Sequence, residues 1–474
     1  MFCDSDEHNS WDKADQMVDR AFELYENGEI SQALTQLREA IEINPNNSAW
    51  HFNEGLALDS MDKYDLAIKA YEKSLALSPD DPEILNSLAV DYTRTAQYDL
   101  AIATFEQIEK IAPDFEPCYC NRIITYTEMD DHDKAEHMFY LAQQVNPDCP
   151  ICFYNIGNSL FSRRQYERAI WCWQRTAMLE PTHPQINYRI AQAWWANRDT
   201  ARAREYFLME LRSNPGDVDV ILDFGIFLFK ISEFDAAGEK FHRILELDPD
   251  FGQAIFYLGE LALRQGRRRA AAAYYRRAMR KDDELPGPRY RLAQMAFADG
   301  VPDTARRLLL DELKCNPDDL DVLLSIAVMF LQLHEYDFAM DTLLSVVDED
   351  QQNATAFYYM GLTLALQADY EGALQFFEHA MTIDATNPNL MADAAVLCLK
   401  DGRIRQAADI IQTAHELAAD DREITRLRRR IQLALVVHNF GHYLASLPII
   451  VRLKRVATGM KCLATRRLRT RRRR

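Results

Sequence analysis

Twelve alanines stand 34 residues apart: Ala33, Ala67, Ala101, Ala135, Ala169, Ala203, Ala237, Ala271, Ala305, Ala339, Ala373 and Ala407. A fixed period of this length marks a chain that stacks one supersecondary unit on copies of itself. It therefore overrides the two or three globular domains that 474 residues would otherwise suggest. Prolines keep the same phase at Pro45, Pro79, Pro113, Pro147, Pro181, Pro215, Pro249 and Pro317. With the alanine numbered position 20 of each unit, position 8 is glycine or alanine in eleven of the twelve units, and Ile123 is the exception.

Apolar residues at positions 4, 7, 8 and 11 fall on one face of a first helix, and those at 20, 24, 27 and 28 on one face of a second. Two antiparallel helices approach closely only where small residues sit at the crossing, which positions 8 and 20 supply. Position 24 is aromatic in eight units (Tyr71, Phe105, Phe139, Trp173, Phe207, Phe241, Tyr275 and Phe377), a wedge for the space left by the small residues. Turns such as Ser78-Pro79-Asp80-Asp81 end the second helix, and their Asp or Asn can cap the next first helix.

This pattern resembles the tetratricopeptide repeat family from about Ala14 to Asp421, with residues such as Leu85 and Phe153 where the family carries tryptophan at position 4. The resemblance implies an all-α, right-handed superhelical solenoid of antiparallel helix pairs whose first helices line a concave groove. The expected organisation is a polar leader over 1–13 with Ser10 as first cap, a solenoid over 14–421, a capping helix over 422–438 with a polar outer face, and a basic amphipathic tail over 439–474. A break is expected at 439–447, around Gly441.

The family binds ligands through positions 2, 5, 6, 9, 12 and 13 of the first helix. Here those positions place Phe52, Tyr154, Phe161, Tyr188, Trp195, Phe229, Phe256, Tyr290 and Tyr358 in the groove, with Arg189 and Arg291 as bidentate readers of a carboxylate or phosphate. The expected ligand is a peptide segment or helix of a protein partner, with no small-molecule substrate implied. The family's chaperone clamp is absent: Asn155 and Arg189 match it, but Cys120, Ile124 and Gln185 do not. An asparagine ladder at position 6 is partial, with Asn53, Asn121 and Asn155 present and Ser87, Arg189 and Asp223 breaking it.

No Gly-rich phosphate loop, Ser/His/Asp arrangement or His-rich metal motif stands out, so the chain reads as a scaffold without a cofactor rather than an enzyme. Nine cysteines and an acidic N-terminal stretch without a hydrophobic segment suggest free thiols in a reducing cytoplasm. Cys118, Cys120, Cys149 and Cys152 cluster in units four and five, where Cys118 and Cys152 share position 3 and should be neighbours. They read as small core residues, or alternatively as a metal, iron–sulfur or redox site.

Charge is divided along the chain. Residues 422–474 hold 16 Lys and Arg against Glu423 alone, while the remainder carries a net −34. The basic tail comprises Arg452, Lys454, Arg455, Lys461, Arg466, Arg467, Arg469, Arg471, Arg472, Arg473 and Arg474, and it follows an apolar stripe of Ile449, Leu453, Val456, Met460 and Leu463. Such a segment suits anionic membrane lipid, nucleic acid or the protein's own acidic solenoid, so peripheral membrane attachment is the alternative to a purely cytoplasmic scaffold. The apolar run 431–451 is interrupted by Gln432, His438, Asn439, His442 and Pro448, which argues against a membrane span. A second basic run, Arg264–Lys281, is expected on an outer face, where it can pair with acidic neighbours.

Overall fold

All twelve position-20 alanines are completely buried, and the twelve expected hairpins form around them. The computed structural model describes the backbone of residues 4–315 and 319–446 and the side chains of residues 13–315 and 319–438. Among these residues the regular structure is helical throughout, and the chain divides into two compact units, Met1–Lys240 and Phe241–Arg474.

The first unit contains α1 (Asp4–Glu26), α2 (Ile30–Ile43), α3 (Ser48–Asp59), α4 (Tyr64–Leu77), α5 (Pro82–Arg94), α6 (Tyr98–Ile111), α7 (Glu116–Glu128) and α8 (His132–Val145). It continues with α9 (Pro150–Ser162), α10 (Tyr166–Leu179), α11 (Ile186–Ala196), α12 (Thr200–Ser213) and α13 (Val218–Lys230), and α14 (Phe234–Leu247) carries the boundary. The second unit holds α15 (Gly252–Arg264), α16 (Arg268–Lys281), α17 (Pro288–Ala298), α18 (Pro302–Cys315), α19 (Leu320–Gln332) and α20 (Tyr336–Glu349). It ends with α21 (Ala354–Leu366), α22 (Tyr370–Ile383), α23 (Pro388–Lys400), α24 (Ile404–Leu417) and α25 (Arg422–Ser446). Within each unit, odd- and even-numbered helices pair as antiparallel hairpins that stack on their neighbours.

Positions 8 and 24 are matched in volume. Glycine at 8 faces a large ring at 24, as in Gly55/Tyr71, Gly157/Trp173, Gly259/Tyr275 and Gly361/Phe377. A Cβ added at Gly259 would lie 2.6 Å from the Tyr275 ring, and one at Gly361 2.8 Å from Phe377, well inside van der Waals contact. Alanine at 8 is paired with phenylalanine or an aliphatic residue (Ala89 with Phe105, Ala191 with Phe207, Ala293 with Leu309, Ala327 with Leu343 and Ala395 with Ile411), so Trp and Tyr rings meet only glycine while phenylalanine meets either. The fourth hairpin breaks the rule and shows its consequence. Ile123 is fully buried in the slot, and Phe139 is only half-buried, turned toward Phe153 at a ring separation of 5.4 Å.

Each hairpin turns at position 15, where the backbone is left-handed in all twelve units. The N–H of position 16 then bonds back to the carbonyl of position 11, as in Lys63 to Leu58 (3.0 Å) and Asp369 to Leu364 (2.9 Å), closing the first helix with a Schellman-type bond. Only Gly28, Gly266, Gly300 and Gly402 are glycines at this position, so the other eight units hold an L side chain in the left-handed region. Ala96 and Ala368 lack the polar side chain that eases this conformation. Ala96→Gly and Ala368→Gly are each expected to stabilise their hairpin by about 1 kcal/mol. Amide exchange at Gln97 and Asp369 measures this directly, and faster exchange in the variants would contradict it.

The first helices are capped as their turns suggest. Asn47, Asp81, Asp217, Asp319, Asn353 and Asn387 each accept a backbone N–H from the first turn. Two boundaries differ from expectation. Helix α1 starts at Asp4, so Ser10 lies within it rather than capping it, because no proline or glycine interrupts residues 4–13. Helix α25 continues through Gly441 to Ser446 rather than breaking at 439, since one interior glycine costs only about 1 kcal/mol. It buries Ile424 and Ile431, but Leu433, Val436 and Val437 are each more than 60 % exposed, so its outer face is not the polar cap expected. No described helix is long and apolar enough to cross a membrane.

Candidate functional site

Every one of the eleven residues expected in the groove (Phe52, Tyr154, Phe161, Tyr188, Arg189, Trp195, Phe229, Phe256, Tyr290, Arg291 and Tyr358) is half-buried. Packing on one side explains this. Phe161 rests on the buried Trp173 (5.7 Å between rings), Trp195 meets Phe227 edge-on (5.6 Å), and Phe229 meets Phe234 (5.6 Å). Tyr154 lies 4.5 Å from the His183 ring, while Phe52 and Phe256 lean on the position-24 rings Tyr71 and Tyr275.

Polar contacts along this face run from one repeat to the next. The Tyr188 hydroxyl donates to Asp223 (2.7 Å), which also accepts from Gln192 (2.9 Å), joining α11 to α13. Tyr358 does the same to Asp393 (2.7 Å), and these two help line a hollow of about 260 Å³ in the second unit. Burial and the neighbouring carboxylates raise both tyrosine pKa values above the ordinary phenol range, so both remain donors. The Asn121 amide donates to Asn86 (3.0 Å) and that of Asn155 to the Cys120 carbonyl (3.0 Å). Asn121 and Asn155 of the partial asparagine ladder are thus spent on bonds between repeats.

The two arginines differ. Arg291 pairs with the buried Glu260 (2.8 Å), which also accepts the Tyr275 hydroxyl (2.6 Å), so its guanidinium is already committed. Arg189 makes a 3.5 Å contact to Gln192, at the limit of a hydrogen bond, and its buried Nε has no partner.

A second feature lies on the outer side of the first unit. Displacement of Phe139 by Ile123 helps open a cavity of about 450 Å³ between α8 and α10. Phe139, Tyr140, Leu160 and Trp171 line it, with Glu136 and Arg168 paired at 2.6 Å on its rim. Trp171 is 59 % and Tyr140 54 % exposed. The sequence signal for this cavity is the single large residue at position 8.

The cysteines are arranged differently from expectation. Cys118 and Cys152 do not meet: the Cys118 thiol points at the Phe105 carbonyl (3.4 Å), and burial pushes its pKa up to about 12. Cys120 and Cys152 instead form a disulfide, which corrects the expectation that all thiols are free; Cys118, Cys149, Cys172, Cys315 and Cys398 are free. Cys120 sits two residues, half a helical turn, beyond Cys118 on α7, and this turns its side chain toward α9. Cys149 Sγ lies 3.7 Å from Cys120 Sγ, and Glu116, absent from the expected set, completes the group.

The basic run of α16 is partly neutralised. Arg268 pairs with Asp299 (2.8 Å), Lys281 with Asp250 (2.6 Å), and Arg277 donates to the Pro249 carbonyl (2.9 Å). The basic tail, from Arg452 to Arg474, lies outside the described residues.

Tetratricopeptide repeat family models match residues 18–82, 52–114, 154–218, 222–286 and 364–431, together more than half of the chain. The TPR repeat-containing protein YpiA of Bacillus subtilis is 20% identical over 274 residues, 57% of this chain and 64% of that protein. Cellulose synthase operon protein C of Pseudomonas fluorescens is 38% identical over 86 residues, 18% of this chain and 7% of that protein. The matches thus span less than two thirds of the length of either relative. The crystal structure of yeast Tom70 superposes with a TM-score of 0.51 at 15% identity, covering 85% of this chain and 99% of that one, a likeness of fold. With paired helices, an alanine at position 20 of all twelve units and these matches in agreement, the chain belongs to the tetratricopeptide repeat family.

Proposed function

We propose that this chain is a non-catalytic protein-interaction scaffold, and that the first helices α9, α11 and α13 of its first unit hold a peptide segment of a partner protein. The observation carrying this reading is the half-buried state of Tyr154, Phe161, Tyr188, Trp195 and Phe229. Tyr154, Phe161, Tyr188 and Trp195 are each held on one side by a neighbouring ring and keep part of their surface exposed. A ring immobilised before binding loses little entropy when a ligand lands on it, which is why preorganised aromatics dominate interface energetics. Arg189, with donors to spare, adds preference for an acidic residue beside the apolar ones.

Panning a random peptide library on the full chain tests this. Selected peptides are expected to combine aliphatic or aromatic residues with an acid. Trp195→Ala and Phe229→Ala are each expected to weaken them about tenfold, about 1.4 kcal/mol, without loss of helicity. The exposed Trp171 favours a second reading, in which the outer cavity takes an apolar side chain. Weakening by Trp171→Ala instead of Trp195→Ala would move the site there. Weakening by neither would remove both readings.

A further inference from the structure

We propose that Cys120, Cys149, Cys152 and Glu116 bind one Zn²⁺ when their thiols are reduced. The inference is independent of the scaffold reading. One ligand atom from each of the four residues lies within 4.8 Å of all the others, and the three cysteines are buried. Tetrahedral zinc with Zn–S bonds of about 2.3 Å has an edge of about 3.8 Å between sulfurs. Cys120 Sγ and Cys149 Sγ are 3.7 Å apart. An iron–sulfur cluster holds its thiolates farther apart, around a cage, whereas this spacing suits a single ion. Three thiolates and one carboxylate favour zinc over magnesium or calcium, which prefer all-oxygen sets.

The surroundings orient the ligands as a metal site requires. Cys149 is the N-cap of α9, and its sulfur accepts the Cys152 N–H at 3.2 Å. Pro150 in the first turn fixes the backbone between the two cysteines. Glu116 opens α7, and one of its oxygens accepts from Asn146 (3.0 Å), while the other faces Cys120 (3.5 Å) and Cys152 (3.9 Å). Asn155 bonds the Cys120 carbonyl and so ties α7 to α9 at the site. Four ionised ligands around Zn²⁺ leave two negative charges, which the N-terminus of α9 and the donated N–H groups offset. Glu116, only half-buried, provides the open side.

The Cys120–Cys152 disulfide and the metal use the same sulfurs, so they are alternative states of one site. A phosphine reductant converts the disulfide to the dithiol: the S–S bond breaks, the phosphorus is oxidised by two electrons and takes the oxygen of one water, and each sulfur gains one of that water's protons. The ion then displaces protons from the thiols it binds.

The test uses the full chain, reduced with a phosphine and titrated with Zn²⁺ against a chromophoric chelator and, separately, with Co²⁺. One ion per chain is expected. The cobalt form should show tetrahedral visible bands and a near-ultraviolet thiolate charge-transfer band. Cys149→Ser should weaken Zn²⁺ binding at least about 100-fold and Glu116→Gln about tenfold or more, while Cys118→Ser binds as the unaltered chain does. Cys149→Ser leaves the two disulfide sulfurs in place, and circular dichroism confirms that each variant is folded. Absence of the charge-transfer band overturns the proposal, as does equal zinc affinity in Cys149→Ser.

Discussion

Replacing Gly157 with alanine is expected to destabilise the fifth hairpin by about 2 kcal/mol, although alanine is by about 1 kcal/mol the better helix former. The added methyl would sit inside the indole of Trp173, whose Cδ1 would lie 2.7 Å away. Trp173 cannot yield: it is 1 % exposed, and its Nε1 donates to the Tyr154 carbonyl at 3.2 Å. The remedy is present elsewhere in the chain, where Ala89 faces Phe105 and Ala191 faces Phe207. Trp173→Phe alone leaves a cavity and loses one hydrogen bond, at about 1–2 kcal/mol. Adding Gly157→Ala to Trp173→Phe should cost little or be favourable, giving a coupling energy of about 2 kcal/mol between the two sites. Hydrogen exchange in α9 and α10 is the appropriate measurement, because repeats open locally and one global unfolding energy would blur the effect. Additive losses would show that the slot and the wedge are not one packing unit.

The fold was legible because the same constraint is written twelve times. A position that must be small to let two helices cross cannot drift, so alanine at position 20 announces the hairpin whatever surrounds it. The pairing of volumes between positions 8 and 24 was present in the same rows, but it emerges only when the two positions are compared unit by unit. Ile123 illustrates the gain: a large residue in the slot means a ring displaced from it, and hence the outer cavity lined by Phe139. The left-handed position 15 was hidden for the opposite reason. The backbone demands it in every unit, yet Asp62, Ala96, Arg164 and His334 all tolerate it at a modest cost, so the composition carries little trace. The groove candidates were found by register, but register does not reveal which polar groups are already partnered. Arg291 is held by Glu260 thirty-one residues earlier, and Asn155 by a backbone carbonyl one repeat back. Glu116 stands outside the cysteine pattern: it is one helical turn before Cys120 on α7, and only the stacking of α7 on α9 brings it to Cys149 and Cys152.

Asp91→Asn is expected to stabilise the early repeats at pH 8 and to have almost no effect at pH 4. Asp91 is 1 % exposed, and burial, reinforced by the negative charge of Asp59, raises its pKa from 3.8 to about 7; Arg94 opposes this shift. Arg94 is shared between the two carboxylates: it is paired with Asp59 and 3.5 Å from Asp91, and Asp91 Oδ2 is buried with no partner. A carboxyl with a raised pKa favours the folded state when protonated. Below about pH 4 both folded and unfolded chains carry the proton, and burial of Asp91 incurs no charge penalty. As the pH rises from about 4 to about 7, the unfolded chain ionises first, so stability falls through that window. Above about pH 7 the whole penalty stands, at most about 4 kcal/mol for a shift of this size and less where Arg94 relieves it. Asparagine has the shape of the protonated acid and can donate to Asp59 as that acid does. The variant should therefore be about 2–4 kcal/mol more stable at pH 8, with the advantage vanishing by pH 4. The difference between the two chains across pH isolates this group from every other carboxylate that titrates. A variant less stable than the parent at pH 8 would mean that the attraction of Arg94 for a charged Asp91 outweighs the cost of burying it.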